Sequence, residues 1–322
     1  MISYFKSEDG RVGQIDAIEP GCWVDILEPS ASERQWLLQE LEIVPEFVQA
    51  AFDDEETAHI DLDEDTGQVL VIVDCPFVED ESEAVDANIV QYDTHPLSFI
   101  FLPEQEYFVT LSLRRNETVA VFAHGKHRDV YTDRRTRFLL QMLLRVAQRY
   151  LICLRSINRQ IRDYERNLRK SMTNSELMKM LGLEKSLVYF STSLKADNIL
   201  INRLDHARQL NLSEDDSDTL DDAAVEYQQA LETATIHSNI LNGTLDTFAS
   251  LINNNLSNVM KYMTAATILL AVPTVITSAY GMNIPLPLQD YPHTFAVLSA
   301  ISGVLAVGII GVLFYLYKKR VF

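Results

Sequence analysis

Two stretches near the C-terminal end, residues 262–280 and 294–317, contain no charged side chain. This constrains the chain more than any other feature. A helix needs about 20 apolar residues to cross the hydrocarbon core of a bilayer. The first stretch is just long enough, and the second is comfortably so. Lys261 precedes the first span, while Lys318, Lys319 and Arg320 follow the second. The loop between them, 281–293, carries only Asp290 as a charged residue. Basic residues mark the cytoplasmic side of a membrane segment. Both termini are therefore expected in the cytoplasm, with the loop outside a plasma membrane. Tyr280, Tyr291, Tyr315 and Tyr317 suit interfacial belts. Ser299, Gly303, Gly308 and Gly311 give the second span a close-packing surface. Two spans cannot enclose a pore, so conduction by this chain requires an oligomer.

The first span also carries a pattern. Asn253, Ser257, Met260, Thr264, Thr267, Ala271, Thr274 and Ser278 recur at threes and fours, which places them on one helical face. That face is small and largely polar, while Leu269, Leu270, Val272, Val275 and Ile276 occupy the others. Hydroxyl stripes serve interhelical packing or line a pore. Here the stripe continues in register into the segment before the membrane, which favours a lining. Pro273 lies within the span. It is expected to kink or loosen the helix, freeing a backbone carbonyl near Leu269.

Composition excludes several function classes. With 46 acidic against 27 basic residues the formal net charge is −19, whereas nucleic-acid binders present basic faces. No Gly-rich phosphate loop, nucleophile elbow or metalloprotease helix motif is present. We therefore expect no enzyme, no organic cofactor and no nucleotide. His124, His127 and Asp129 are close in sequence, but the polar run HGKHRD reads as a solvated loop. Cys22, Cys75 and Cys153 lack disulfide or zinc spacing, in keeping with a reducing cytosol. The N-terminal MISYFKSEDGR has no apolar core and is not read as a signal peptide.

Residues 1–130 read as a cytosolic α/β domain. Strands are expected at 12–15, 22–27, 60–63, 69–73, 89–92, 97–102 and 107–111, with a hairpin turn at 64–67. Ser30 and Glu33 form a capping-box signature that opens a helix with Trp36, Leu37 and Leu41 inward. Pro45 opens another helix, and 116–124 a third. Residues 131–261 read as a helical stalk. Phe138, Met142, Val146, Tyr150, Ile157, Ile161 and Leu168 recur at helical spacing along a basic helix rich in arginine. That helix faces the acidic domain or the acidic patch at 215–222, or is solvated. A second helix is expected over 174–210, a turn over 211–218, and a third helix from about 219 into the membrane. The two spans, 262–280 and 294–317, flank the external loop 281–293, and 318–322 forms a basic tail.

Gly281-Met282-Asn283 at the outer end of the first span, the Met260-Lys261-x-x-Thr264 start of its helix and the Lys-Lys-Arg tail resemble the CorA magnesium and cobalt transporter family. The order of an α/β domain, long helices and two closing spans agrees with it along the whole chain. The resemblance implies a funnel-shaped homopentamer in the lipid bilayer, with the first spans lining one pore. It implies Gly281, Met282 and Asn283 as the selectivity filter, and Ser257, Met260, Met263, Ala271 and Thr274 as pore-lining positions. Met-Pro-Glu-Leu is frequent in the family's outer loop. Here Leu286-Pro287-Leu288-Gln289-Asp290 stands in its place, which leaves Asp290 as the candidate carboxylate for attracting external cations. Lys261, Lys318, Lys319 and Arg320 would form a cytosolic basic ring. Asp222 falls at the family's stalk aspartate, with Asp221 and Glu226 beside it, so magnesium is implied as a regulatory as well as a transported ion.

The filter chemistry is consistent with magnesium. This ion gives up its water shell reluctantly, and neutral oxygens of Asn283 and Gly281 bind a hydrated ion without holding it too tightly. Glycine at 281 would allow a tight bend. Gly281 and Asn283 also read as a helix C-terminal cap before Pro285, and the acids at 221–226 as a solvated helix start. The function expected is a divalent cation channel, most simply for magnesium, moving ions down the electrochemical gradient and closed by cytosolic magnesium. The alternatives are a zinc, cobalt or nickel transporter, since Met260 and Met263 offer softer ligands, and a non-conducting two-span sensor.

Overall fold

A computed structural model describes residues 1–79, 91–170, 174–205, 207, 210, 212–282 and 293–318. Its contacts divide the chain into two units, Met1–Leu245 and Asp246–Phe322. The first unit is built on a seven-stranded mixed sheet of order β2-β1-β3-β7-β6-β5-β4. The strands are β1 (Ile2–Glu8), β2 (Arg11–Ile15), β3 (Trp23–Leu27), β4 (His59–Leu62), β5 (Val69–Val78), β6 (Tyr92–Leu102) and β7 (Tyr107–Ser112). All neighbours pair antiparallel except β3 and β7, which run parallel, with Trp23 opposite Phe108 and Leu27 opposite Ser112. The helices are α1 (Ala31–Gln39), α2 (Pro45–Ala51), α3 (Glu117–Ala123), α4 (Arg135–Lys170), α5 (Asn174–Leu204), α6 (Glu214–Tyr280) and α7 (Thr294–Lys318).

Alternation along the strands sends successive side chains to opposite faces. Val24, Ile26, Leu70, Ile72, Ile100, Leu102, Val109 and Leu111 pack with Leu37, Phe47 and Val48 of α1 and α2. On the other face Trp23, Phe108 and Phe122 surround Phe138 of α4, with ring centroids 5.2 to 5.5 Å away. Offset and edge-on rings at such distances add to the burial of their area. The expected Ser30 box is present, with Glu33 accepting from the Ser30 amide at 2.7 Å and Ser30 accepting from the Glu33 amide at 3.3 Å. Leu37 and Leu41 are buried and Trp36 is half-buried.

Four expectations change. β1 had no counterpart in the sequence reading, and it forms because it pairs on both edges, with β2 and β3. Strand 97–102 begins five residues earlier as part of the 11-residue β6. Pro96 is accommodated there because β7 pairing starts at Leu97, so its missing N–H faces no partner on that side. The second long helix ends at Leu204, short of 210. The third starts at Glu214 within the supposed turn, because Ser213 and Asp216 form another capping pair. Asp216 Oδ2 accepts from the Ser213 amide at 3.1 Å and the Ser213 hydroxyl at 2.7 Å, and Ser213 Oγ accepts from the Asp216 amide at 3.3 Å.

The basic α4 meets acids on both candidate partners. Arg149 lies 2.7 Å from Glu117 of α3, and Arg137 lies 3.6 Å from Asp215 of α6. Further along, Arg166 and Arg169 pair within the helix with Asp163 and Glu165. Cys22, Cys75 and Cys153 are buried free thiols.

Candidate functional site

α6 is one 67-residue helix that continues through Pro273. Its C-terminal part and α7 are each long and apolar enough to cross a membrane, and neither apolar window is buried within the chain. The core helix of a soluble protein would be covered by its own chain, and these are not covered by the described residues of theirs.

The small and hydroxyl stripe lies on α6 and is exposed along its length. Met260, Met263, Thr264 and Thr267 line a shallow groove of about 370 Å³. Thr267, Ala271, Thr274, Ser278 and Met282 line another of about 660 Å³. Thr267 belongs to both, so the face runs continuously. Ala271 and Thr274 flank Pro273 and share one groove, so the proline does not turn the stripe aside. Leu270 and Val275, expected on the other faces, line this groove as well, with Ala279, because the groove is wider than the single row of threes and fours. Ser257 is exposed on α6 and lines neither groove.

The hydroxyls have a defined polarity. Thr267 donates to the Met263 carbonyl at 2.9 Å, and Thr274 donates to the Leu270 carbonyl at 2.8 Å. Each proton is consumed by the helix four residues back, while the oxygen keeps acceptor lone pairs. Such a surface offers acceptors to a hydrated cation.

At the end of α6 the Gly281 amide donates to the Thr277 carbonyl at 3.1 Å and the Ser278 carbonyl at 3.2 Å. Gly281 is not among the positive-φ glycines. A Cβ there would stand 3.4 and 3.5 Å from those two oxygens, an ordinary contact. Gly281 therefore does not adopt the left-handed conformation of a glycine cap; α6 ends at Tyr280, and Gly281 and Met282 form the turn and bend that follow it. Asn283, Asp290, Lys319 and Arg320 lie outside the described residues. Lys261 sits on α6, and Lys318 is the last residue of α7.

The candidate regulatory acids lie on the same helix within the first unit. Ala223, Tyr227, Ala230 and Ala234 are buried at helical spacing, which turns Asp221 and Asp222 outward as exposed residues and leaves Glu226 half-buried. Among the described residues no group of three or more His, Cys, Asp or Glu side chains is placed to hold a metal within the single chain. A cation at Asp222 would therefore need ligands from another copy or from water. His124 and His127 each point a ring nitrogen at a backbone carbonyl, of Ala120 at 2.5 Å and Arg128 at 3.0 Å.

Beneath α6 lies a buried polar cluster that the sequence did not announce. Asp197 of α5 is fully buried, and its Oδ1 accepts from the Asp74 amide of β5 at 2.9 Å. Tyr150 of α4 donates to the Asp74 carbonyl at 3.1 Å. Asp197 Oδ2 and the Tyr227 hydroxyl of α6 have no partner among the described residues. Burial pushes the Asp74 carboxyl up to about 6. Burial, with the neighbouring Asp74 charge, pushes Asp197 well above the usual carboxylate range.

An α/β unit whose last helix continues into the first of two bilayer-length apolar helices defines a two-span membrane protein with a large extramembrane part. The chain belongs to the CorA-like Mg2+ transporter family, whose model matches residues 19–320. A cobalt/magnesium transport protein CorA of Methanocaldococcus jannaschii is 25% identical over 299 residues, 92% of this chain and 90% of the relative. A magnesium transport protein CorA of Helicobacter pylori is 28% identical over 164 residues, 48% of this chain and 50% of that protein. In fold, the complete structure of the CorA magnesium transporter from M. jannaschii superposes with a TM-score of 0.79, covering 99% of this chain and 98% of the other at 23% identity.

Proposed function

We propose that the chain conducts hydrated divalent cations, magnesium first among them, down the electrochemical gradient as a pentameric ring of copies in the plasma membrane. In this reading residues 1–130 are a cytosolic domain, 131–261 a stalk, 262–280 and 294–317 the spans, 281–293 the external loop and 318–322 a cytosolic tail. Both termini are cytoplasmic. The observation that carries the reading is the continuity of the acceptor-bearing face on α6, from Met260 through Thr267 and Thr274 to Met282. Ser257 extends this face toward the stalk. Membership of a family of magnesium transporters supports it. Gly281, Met282 and Asn283 form the filter, Asp290 attracts external cations, and Lys261, Lys318, Lys319 and Arg320 ring the cytosolic mouth.

Magnesium bound at Asp221, Asp222 and Glu226 between copies closes the pore, because it relieves repulsion between carboxylates brought together. The exposed thioethers of Met260 and Met263 support passage of softer ions such as cobalt or zinc as well. The test is uptake into liposomes carrying the purified protein, magnesium against zinc, with Asn283→Ala as control. Magnesium uptake that Asn283→Ala abolishes is expected. Uptake of neither ion would overturn the reading and leave a non-conducting sensor.

A further inference from the structure

A cleft of about 770 Å³ lies among the C-terminal end of β5, His95 of β6 and the region around α3. In a chain of net charge −19 its lining gathers Arg114, Arg115 and Lys126. Arg115 and Lys126 are exposed, and neither forms an ion pair among the described residues. Arg114 is held in place, its guanidinium 5.3 Å over the Phe77 ring and 3.7 Å from Asp54. Two acids also line the cleft, Glu28 and Glu117, but Glu117 is already answered by Arg149 at 2.7 Å. Among the described lining residues the balance is cationic.

His95 supplies an independent observation. It is 2% exposed and lines the cleft. Asn116 caps α3, its Oδ1 accepting from the Thr118 amide at 2.8 Å and the Val119 amide at 3.3 Å. This bonding assigns the other end of the amide as Nδ2, a donor, and Nδ2 lies 3.2 Å from His95 Nε2. Nε2 must then accept, so the proton of the neutral ring sits on Nδ1. Burial and the Arg114 charge hold this histidine down at about 4, keeping it neutral. Nδ1 is buried and has no acceptor among the described residues. A buried donor without an acceptor is costly, and an oxyanion in a cleft lined by guanidinium and ammonium groups would satisfy it.

We infer that this cleft is a binding site for a phosphate-class polyanion, separate in chemistry from the cation path. The volume falls in the range of small-molecule sites, roughly 300–1,000 Å³, and exceeds what a single phosphate fills. The Phe77 ring is covered by Arg114 and met edge-on by His95 at 5.2 Å. Recognition therefore falls on clustered phosphate oxygens, which a soluble triphosphate and a phosphoinositide headgroup both present.

The test uses the full-length protein in divalent-free buffer. Inorganic triphosphate is titrated calorimetrically into protein in detergent, and in a second arm nanodiscs with and without a phosphoinositide are compared. Saturable binding tighter than about 1 mM is expected, weakened about tenfold or more when Arg115→Ala and Lys126→Ala are combined. These side chains are exposed, so the double variant folds as the parent does. His95→Phe removes the Nδ1 donor and weakens binding further. Binding in either arm that the double variant loses supports the site and identifies its source. Binding in neither arm, or binding the double variant leaves unchanged, overturns it.

Discussion

Asp74→Asn isolates the energetic cost of a buried carboxylate at the junction of the sheet and the long helices. Asp74 is 8% exposed, and its carboxyl is raised from 3.8 to about 6, first by burial. Each unit of displacement is worth about 1.4 kcal/mol, so ionising Asp74 in the folded protein costs about 3 kcal/mol. A raised carboxyl means the folded state binds more protons than the unfolded state between about pH 4 and pH 6, so stability falls as pH rises through that window and is flat above it. Asparagine keeps the shape and cannot ionise, and the Asp74 amide bond to Asp197 Oδ1 is a main-chain bond that survives. The variant should match the parent near about pH 4 and exceed it by up to about 3 kcal/mol near about pH 8. Urea denaturation of the full-length protein followed by tryptophan emission measures this. The chain has two tryptophans, Trp23 and Trp36, both in the first unit, so the signal reports on the domain that holds Asp74. Equal pH dependence in variant and parent, or lower stability of the variant near about pH 8, refutes the reasoning.

Asp221→Ala combined with Asp222→Ala should shift closure by internal magnesium to higher concentration, read as uptake against magnesium loaded inside liposomes; inhibition at the parent's concentration would remove these acids from gating. Tyr227→Phe deletes a fully buried hydroxyl that has no partner among the described residues. It should leave stability unchanged or raise it by up to about 1 kcal/mol in the same urea assay, because an unmade hydrogen bond contributes a penalty and no gain. A loss of more than about 1 kcal/mol would reveal a partner for that hydroxyl.

Features written in short-range pattern were legible in the sequence. The capping box at Ser30 and Glu33, the 64–67 hairpin, the long basic helix and the charge-free spans all depend on residues within a few turns of one another. The Ser213 and Asp216 pair was equally local, yet its polar composition suggested a turn, and only the bonds of both partners identify it as the start of α6. The cationic cleft is not legible in the sequence because its side chains come from β5, β6 and the segments around α3, and the HGKHRD run by itself reads as a solvated loop.

By itself, the sequence determined two apolar stretches of bilayer length, the long helices before them and a polar stripe on the first, since span length, charge asymmetry and helical period are properties of contiguous residues. Tertiary structure alone decided that β3 runs parallel to β7, that Asp197 meets Asp74 across 123 residues, and that His95 is left with a donor and no acceptor among the described residues. Those outcomes depend on which surfaces meet when the sheet is covered, and burial sets the cost of a carboxylate or an unmade hydrogen bond only after they have met.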